Sequence, residues 1–122
     1  MTASILTVDD SASIRLTTRV ALTNAGYSVT EAVDGQDGLA KLNSGQFDMI
    51  VTDLNMPNMD GLTMIRELRK LPAHMGVPVI FLTTESDAEI KQQAEAAGAT
   101  GWLTKAFGPE SLVKIARKVL GR

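Results

Sequence analysis

The chain has no cysteine. That excludes a disulfide framework, a thiolate metal site and a cysteine nucleophile. A single histidine makes a zinc centre improbable without an unusual ligand set. Proline is scarce, at four residues, and no linker, repeat or low-complexity tract is visible. Neither sign of charge dominates: twelve basic residues face fourteen acidic ones, for a net charge of −2. This is a poor footprint for nucleic acid, which calls for a basic patch or stripe. No apolar run approaches the ~18–20 residues that cross a bilayer, and the start, Met1-Thr2-Ala3-Ser4, lacks the positive charge of a secretory signal. What remains is ordinary: 122 residues, 44% apolar and 21% charged. Such a chain can form one domain with a real core, and intrinsic disorder is excluded as its main state. The expectation is a small cytoplasmic domain of α/β or α+β class.

Five short β-rich runs alternate with stretches of helical period. The runs are Ile5–Val8, Tyr27–Val33, Phe47–Thr52, Val77–Leu82 and Gly101–Thr104. The helical stretches are Ala12–Ala25, Gln36–Asn43, Gly61–Leu71, Asp87–Ala97 and Pro109–Leu120. Ile14, Leu16, Val20, Ala21 and Leu22 are the apolar residues of the first. Ser11 or Asp10 can cap it, Gly26 can close it, and Pro109 suits the first position of the last helix. Strands alternating with helices imply crossovers and a mainly parallel sheet. Runs one, three and four are almost continuously apolar, as strands covered on both faces should be. Five units are too few for a closed (βα)8 barrel, which leaves an open, doubly wound sheet. The order 2-1-3-4-5 puts the alternating second run at an edge. Ligands of such sheets bind beyond the carboxyl ends of the strands, where the order reverses.

Strand one ends in Asp9 and Asp10, strand three in Asp53, strand four in Thr83 and Thr84, and strand five in Lys105. Strand two ends in Val33-Asp34, on the far side of the reversal and out of reach. Taken singly, each of these residues reads as a turn, cap or solvated residue. Their joint position at four converging strand ends does not. Three carboxylates packed together repel unless a cation joins them, and an oxygen-only set suits Mg²⁺ or Mn²⁺. One carboxylate can then serve as nucleophile toward a phosphoryl group. Asp53, alone on the central strand, is the best placed. The metal, the Lys105 ammonium and the Thr83 hydroxyl would neutralise the equatorial oxygens.

These residues carry a resemblance that covers essentially the whole chain. Val8-Asp9-Asp10-Ser11 is similar to the acid pair of the receiver domain of two-component response regulators. Asp53-Leu54-Asn55-Met56-Pro57-Asn58-Met59-Asp60-Gly61 resembles the family's D-x-x-M-P-x-M-D-G loop. Leu82-Thr83-Thr84 is similar to its hydroxyl switch position, and Gly98–Lys105 to its G-A-x-G-aromatic-x-x-K segment. The nearest likeness is to the single-domain chemotaxis regulators, CheY-like. The resemblance implies a flavodoxin-like (βα)5 fold of order 2-1-3-4-5, so that order is not independent of it. It implies one receiver domain over residues 1–122 with no output domain, and a monomer. Asp53 would be phosphorylated by a histidine kinase. Asp10, Asp53 and the Asn55 backbone carbonyl would ligate Mg²⁺, with Asp9 reaching it through water. Thr83 and Lys105 would bind phosphoryl oxygens, and Trp102 would be the switch aromatic. The protein would be a switch in phosphorelay signalling rather than an enzyme, with self-catalysed transfer and hydrolysis at Asp53 only. Its output would leave through the face of helix four, strand five and helix five, where Lys91, Glu95, Trp102, Ile115 and Lys118 stand. The target would be a flagellar motor switch protein or another protein, with a phosphatase as a further partner and neither nucleic acid nor membrane. Asn55 and Glu85, flanking the site, resemble the chemotaxis members.

The chain departs from the family's pattern in two places. Ala106 stands where proline usually follows the lysine, and the Lys105–Ala106 peptide is nevertheless expected to be cis. Thr84 replaces the usual Ala or Gly, which narrows the path to Asp53. Met56, Met59 and Met64 read as packing residues. His74, in a connection with Pro72, Gly76 and Pro78, reads as a solvated loop residue. The competing readings are a free-standing receiver in a phosphorelay or other non-chemotaxis pathway, and a flavin- or nucleotide-binding flavodoxin-like domain. A third, an aspartyl-phosphate phosphatase of the haloacid dehalogenase type, needs a second Asp where Asn55 stands.

Overall fold

The computed structural model describes residues 2–53, 56, 58–74, 76–83, 88–104 and 108–121. Five strands, β1 (Ser4–Val8), β2 (Ser28–Ala32), β3 (Met49–Asp53), β4 (Val79–Thr83) and β5 (Gly101–Thr104), alternate with five helices. The helices are α1 (Ala12–Asn24), α2 (Gly35–Ser44), α3 (Gly61–Leu68), α4 (Ala88–Ala97) and α5 (Pro109–Leu120). The strands form one sheet of order β2-β1-β3-β4-β5, parallel throughout. The α/β class and the strand order expected from the alternation are both present.

Side chains of a strand alternate between faces, and each face of this sheet carries its own core. Leu6, Val8, Ile50, Val79 and Phe81 pack with Leu42, Met64, Ile65, Leu68 and Ala94 of α2, α3 and α4. Ile5, Met49, Val51, Ile80 and Leu82 pack with Ala21, Leu22, Leu112 and Ala116 of α1 and α5. Strands β1, β3 and β4 are therefore covered on both sides, which explains their continuous apolar runs. At the edge, β2 shows only Ala32 fully buried.

Local chemistry sets the ends of the elements. The Ser11 hydroxyl accepts from the Ile14 amide at the start of α1, and Gly26, at φ 99°, closes the helix in the left-handed region. Asp34 and Asp60 cap α2 and α3 through the amides of Asp37 and Thr63. Helix α3 ends at Leu68, three residues before the expected Leu71. The amides of Lys70 and Leu71 donate to Glu67 and Leu68, tightening the last turn. Pro72 then opens a separate 3-10 turn, Pro72–His74, because the residue before a proline is pushed out of the helical region. The apolar face expected of α1 is also narrower. Ala21 and Leu22 are buried, whereas Leu16 and Val20 are 50% and 47% exposed.

Candidate functional site

Parallel register builds the site. Val8 of β1 stands opposite Thr52 of β3. One step further along both strands come Asp9 and Asp53, at the carboxyl edge where the order reverses. Both are almost fully buried, at 2% and 3% exposure, while Asp10 is exposed. Each of the three can offer a carboxylate oxygen such that all three oxygens lie within 4.8 Å of one another. The turn after β1 holds Asp9 in place. Asp9 Oδ1 accepts from the Ser11 amide at 2.8 Å, the Asp9 amide donates to Ala32 on β2 at 3.1 Å, and Arg15 donates to the Asp9 carbonyl. Among the described residues the cluster offers three anionic oxygen donors and no nitrogen or sulfur ligand, which matches the preference of a small hard cation.

The neighbouring strands bring in the remaining candidates by register. Asp53 stands opposite Leu82, and Thr83 opposite Thr104. Thr83 thus sits one step further out on β4, with Thr104 level with it on β5 and immediately before Lys105. Asn55, Thr84, Lys105 and the Lys105–Ala106 peptide lie outside the described residues. On the face of α4, β5 and α5, Trp102 is half-buried and packs against the core shared with α4. The Lys91 ammonium lies 4.8 Å from its ring centroid, a cation–π contact. Glu95 and Lys118 are exposed and Ile115 is half-buried.

Two residues stand elsewhere than the sequence suggested. Asp34 is not remote: its Oδ2 accepts from Asn58 Nδ2 at 2.7 Å, inside the loop that follows Asp53. The Asp37 amide chiefly, with the amides of Asn58 and Gln36, holds its carboxyl below the usual range against the opposing effect of burial. His74 is not solvated. It is 3% exposed, and its Nε2 bonds the Leu42 carbonyl in the last turn of α2 at 2.9 Å. A carbonyl only accepts, so Nε2 carries the proton. Its Nδ1 is buried with no partner among the described residues. The one signal that could have marked Asp34 is Asn58, since a short amide in a tight loop often needs an anchor.

A profile of the response regulator receiver domain matches residues 5–117. The chain is 44% identical to the chemotaxis protein CheY4 of Vibrio cholerae, over 98% of this chain and 100% of that one, with a TM-score of 0.95. It is 27% identical to the receiver domain of sensor histidine kinase PA1611 from Pseudomonas aeruginosa PAO1, a structure with a magnesium ion coordinated in its active site cleft. There the TM-score is 0.91 and all of both chains is covered. A gliding motility regulatory protein of Myxococcus xanthus is 38% identical over 101 residues, which are 83% of this chain and 13% of that protein. The chain spans about half or less of the length of the curated relatives it matches, transcriptional regulators among them. The sheet order, the acidic cluster at its carboxyl edge and a profile match over nearly the whole chain agree, and the chain belongs to the response regulator receiver domains of two-component systems.

Proposed function

We propose that this chain is a phosphorylation switch whose phosphoacceptor is Asp53, supplied by a histidine kinase and working with Mg²⁺, or with Mn²⁺ in its place. The observation that carries the reading is the convergence of Asp9, Asp10 and Asp53 within 4.8 Å at the end of β1 and β3. In the transfer, a carboxylate oxygen of Asp53 attacks phosphorus, an O–P bond forms, and the P–N bond of the kinase's phosphohistidine breaks. Water later cleaves the acyl phosphate to carboxylate and inorganic phosphate. Asp10, Asp53 and the Asn55 backbone carbonyl would hold the metal, with Asp9 reaching it through water, and the metal would supply charge neutralisation for the phosphoryl oxygens. Asp9, anchored at Oδ1 by the Ser11 amide, keeps a fixed anion at the back of the site. Thr83 and Lys105 bind the oxygens of the transferred group.

Output runs through α4, β5 and α5, with Trp102 as the moving aromatic and a protein as target. Phosphorylation adds a dianionic group that draws Thr83 and Lys105 inward. The space this leaves toward β5 biases the position of Trp102. The likeness to CheY4 favours a monomeric, cytoplasmic regulator in chemotaxis, acting on a flagellar motor switch protein and reset by a phosphatase. The transcriptional relatives support a second reading, a receiver serving another pathway or a phosphorelay. A flavin or nucleotide role is disfavoured, since Asp9 and Asp10 stand where a phosphate would need amides and glycines. Incubation with acetyl phosphate and Mg²⁺, followed by intact mass, should add one phosphoryl group to the wild type and none to Asp53→Ala. A modified Asp53→Ala chain would move the nucleophile elsewhere, with Asp10 the next candidate.

A further inference from the structure

We propose that Asp34 is a positioning residue for the phosphoacceptor site, clamping through Asn58 the far half of the loop that leaves Asp53. The inference rests on reading Asp53 as the phosphoacceptor. Asp34 follows the edge strand β2, and β1 lies between β2 and the strand that carries Asp53. The loop after β3 nonetheless reaches back across that gap. Asn58 Nδ2 donates to Asp34 Oδ2 at 2.7 Å, and the next residues repeat the contact through backbone, the Gly35 amide donating to the Met59 carbonyl at 3.3 Å.

Three features show that this contact is built rather than incidental. Asn58 has φ 68° and is the only non-glycine with positive φ among the described residues. Asparagine is among the few side chains that accept this region, and here its amide is bound to a buried carboxylate. A Cβ on Gly35 would lie 2.5 Å from the Met59 carbonyl oxygen, so the two backbones touch where only glycine fits. Finally, Asp34 is an anion in its folded setting, held so by the Asp37 and Asn58 donors, and a charge-assisted bond is stronger than a neutral one. Its other oxygen is already occupied by the α2 cap, so the carboxylate is fixed at both ends.

β3 fixes Asp53 at one end of the loop, and Asp34 fixes Asn58 at the other, so the span between nucleophile and clamp is set before metal or donor arrives. Such preorganisation matters because a misplacement of about 1 Å can lower a rate by about 100-fold. Helix α2 and the edge strand thereby take part in a site to which they contribute no ligand.

The test uses the full chain, with Mg²⁺ and acetyl phosphate as probes. Asn58→Gly keeps the backbone conformation and leaves the α2 cap untouched, but removes the bond. It should weaken Mg²⁺ binding, and it should slow phosphorylation at saturating Mg²⁺ by about tenfold, the loss for a displacement of about 0.5 Å on that scale, while unfolding stays cooperative. Asp34→Asn keeps a carbonyl oxygen for the cap, and the Asn58 amide can turn to meet the new amide, so this variant should recover most of the rate. Asp34→Ala with Asn58→Gly should be no slower in phosphorylation than the slower single variant, because both break the same bond. Wild-type Mg²⁺ affinity and rate in Asn58→Gly would overturn the clamp while leaving Asp53 as acceptor. A wild type that takes no phosphoryl group would overturn the underlying reading instead.

Discussion

Asp10→Asn should reverse its effect on stability when Mg²⁺ is added. Without metal, Asp10 faces two other carboxylates whose ligand oxygens lie within 4.8 Å. At that distance two unit charges repel by roughly 0.9 kcal/mol in water and about 3.5 kcal/mol at an effective dielectric of 20. Asp10 is exposed, so screening places each of its two pairs near the lower figure. Neutralising it should therefore stabilise the metal-free protein by about 1–2 kcal/mol, or roughly 4–8 °C in melting temperature for a chain of this length. With Mg²⁺ the order changes. A cation that binds only the folded chain adds about 2.7 kcal/mol at a free concentration of 100 times its Kd. The wild type should gain that increment, and the variant, short of one anionic ligand, should lose most of it. The substitution leaves the Asp9 bond to the Ser11 amide in place, so the local turn is undisturbed. Calorimetric melting of both proteins in chelator and in millimolar Mg²⁺ measures all four stabilities. A variant less stable than the wild type in chelator would mean that the carboxylates do not repel as placed. A wild type indifferent to Mg²⁺ would remove the metal site.

The Lys91–Trp102 contact is worth about 0.5–1 kcal/mol at an exposed site. Lys91→Met should therefore let beryllofluoride shift the Trp102 fluorescence at about two- to fivefold lower concentration, and an unchanged Trp102 signal with the mimic bound would end its switch role. His74→Ala should lose about 2–4 kcal/mol in urea unfolding, since it leaves the Leu42 carbonyl unsatisfied and a void beside it. His74→Gln, which can replace the Nε2 donor, should stay within about 1 kcal/mol of the wild type, and equal losses would show that packing alone matters. Asp34, whose folded carboxyl lies below its ordinary value, contributes stability that is complete above pH ~4 and lost as pH falls through the folded value. Acid titration of Asp34→Asn should thus show a smaller loss of stability below pH ~4 than the wild type.

Much of this protein was legible without coordinates, for identifiable reasons. Short β-rich runs between stretches of period 3.6 announced the five βα units, because a strand covered on both faces is apolar throughout and a helix face is apolar at every third to fourth residue. The acidic cluster of Asp9, Asp10 and Asp53 was legible because charged groups rarely sit inside a strand covered on both faces, so acids at the ends of such strands mark the sheet's edge. The same reasoning misplaced the outer limits. Leu16 and Val20 fit the helical pattern of α1, yet the width of the face that α5 and the sheet cover is a tertiary quantity.

His74 and Asp34 show where local information ends. A lone histidine in a connection rich in Pro and Gly has no periodic neighbours to report its burial. It is buried because the last turn of α2, more than thirty residues away in the chain, presents an open carbonyl there. Strand order alone puts Asp34 out of reach, because it places strands but not the loops that connect them. The chain's own residues determined the class of fold, the order of its elements and the oxygen-rich chemistry at one edge, because these follow from short-range pattern and from residue type. Only the tertiary structure decided which carboxylates lie within 4.8 Å of one another, that Lys91 covers Trp102, and that Asp34 holds Asn58. Those are distances between residues remote in sequence, and they exist only once the sheet has set its register and the helices have packed upon it.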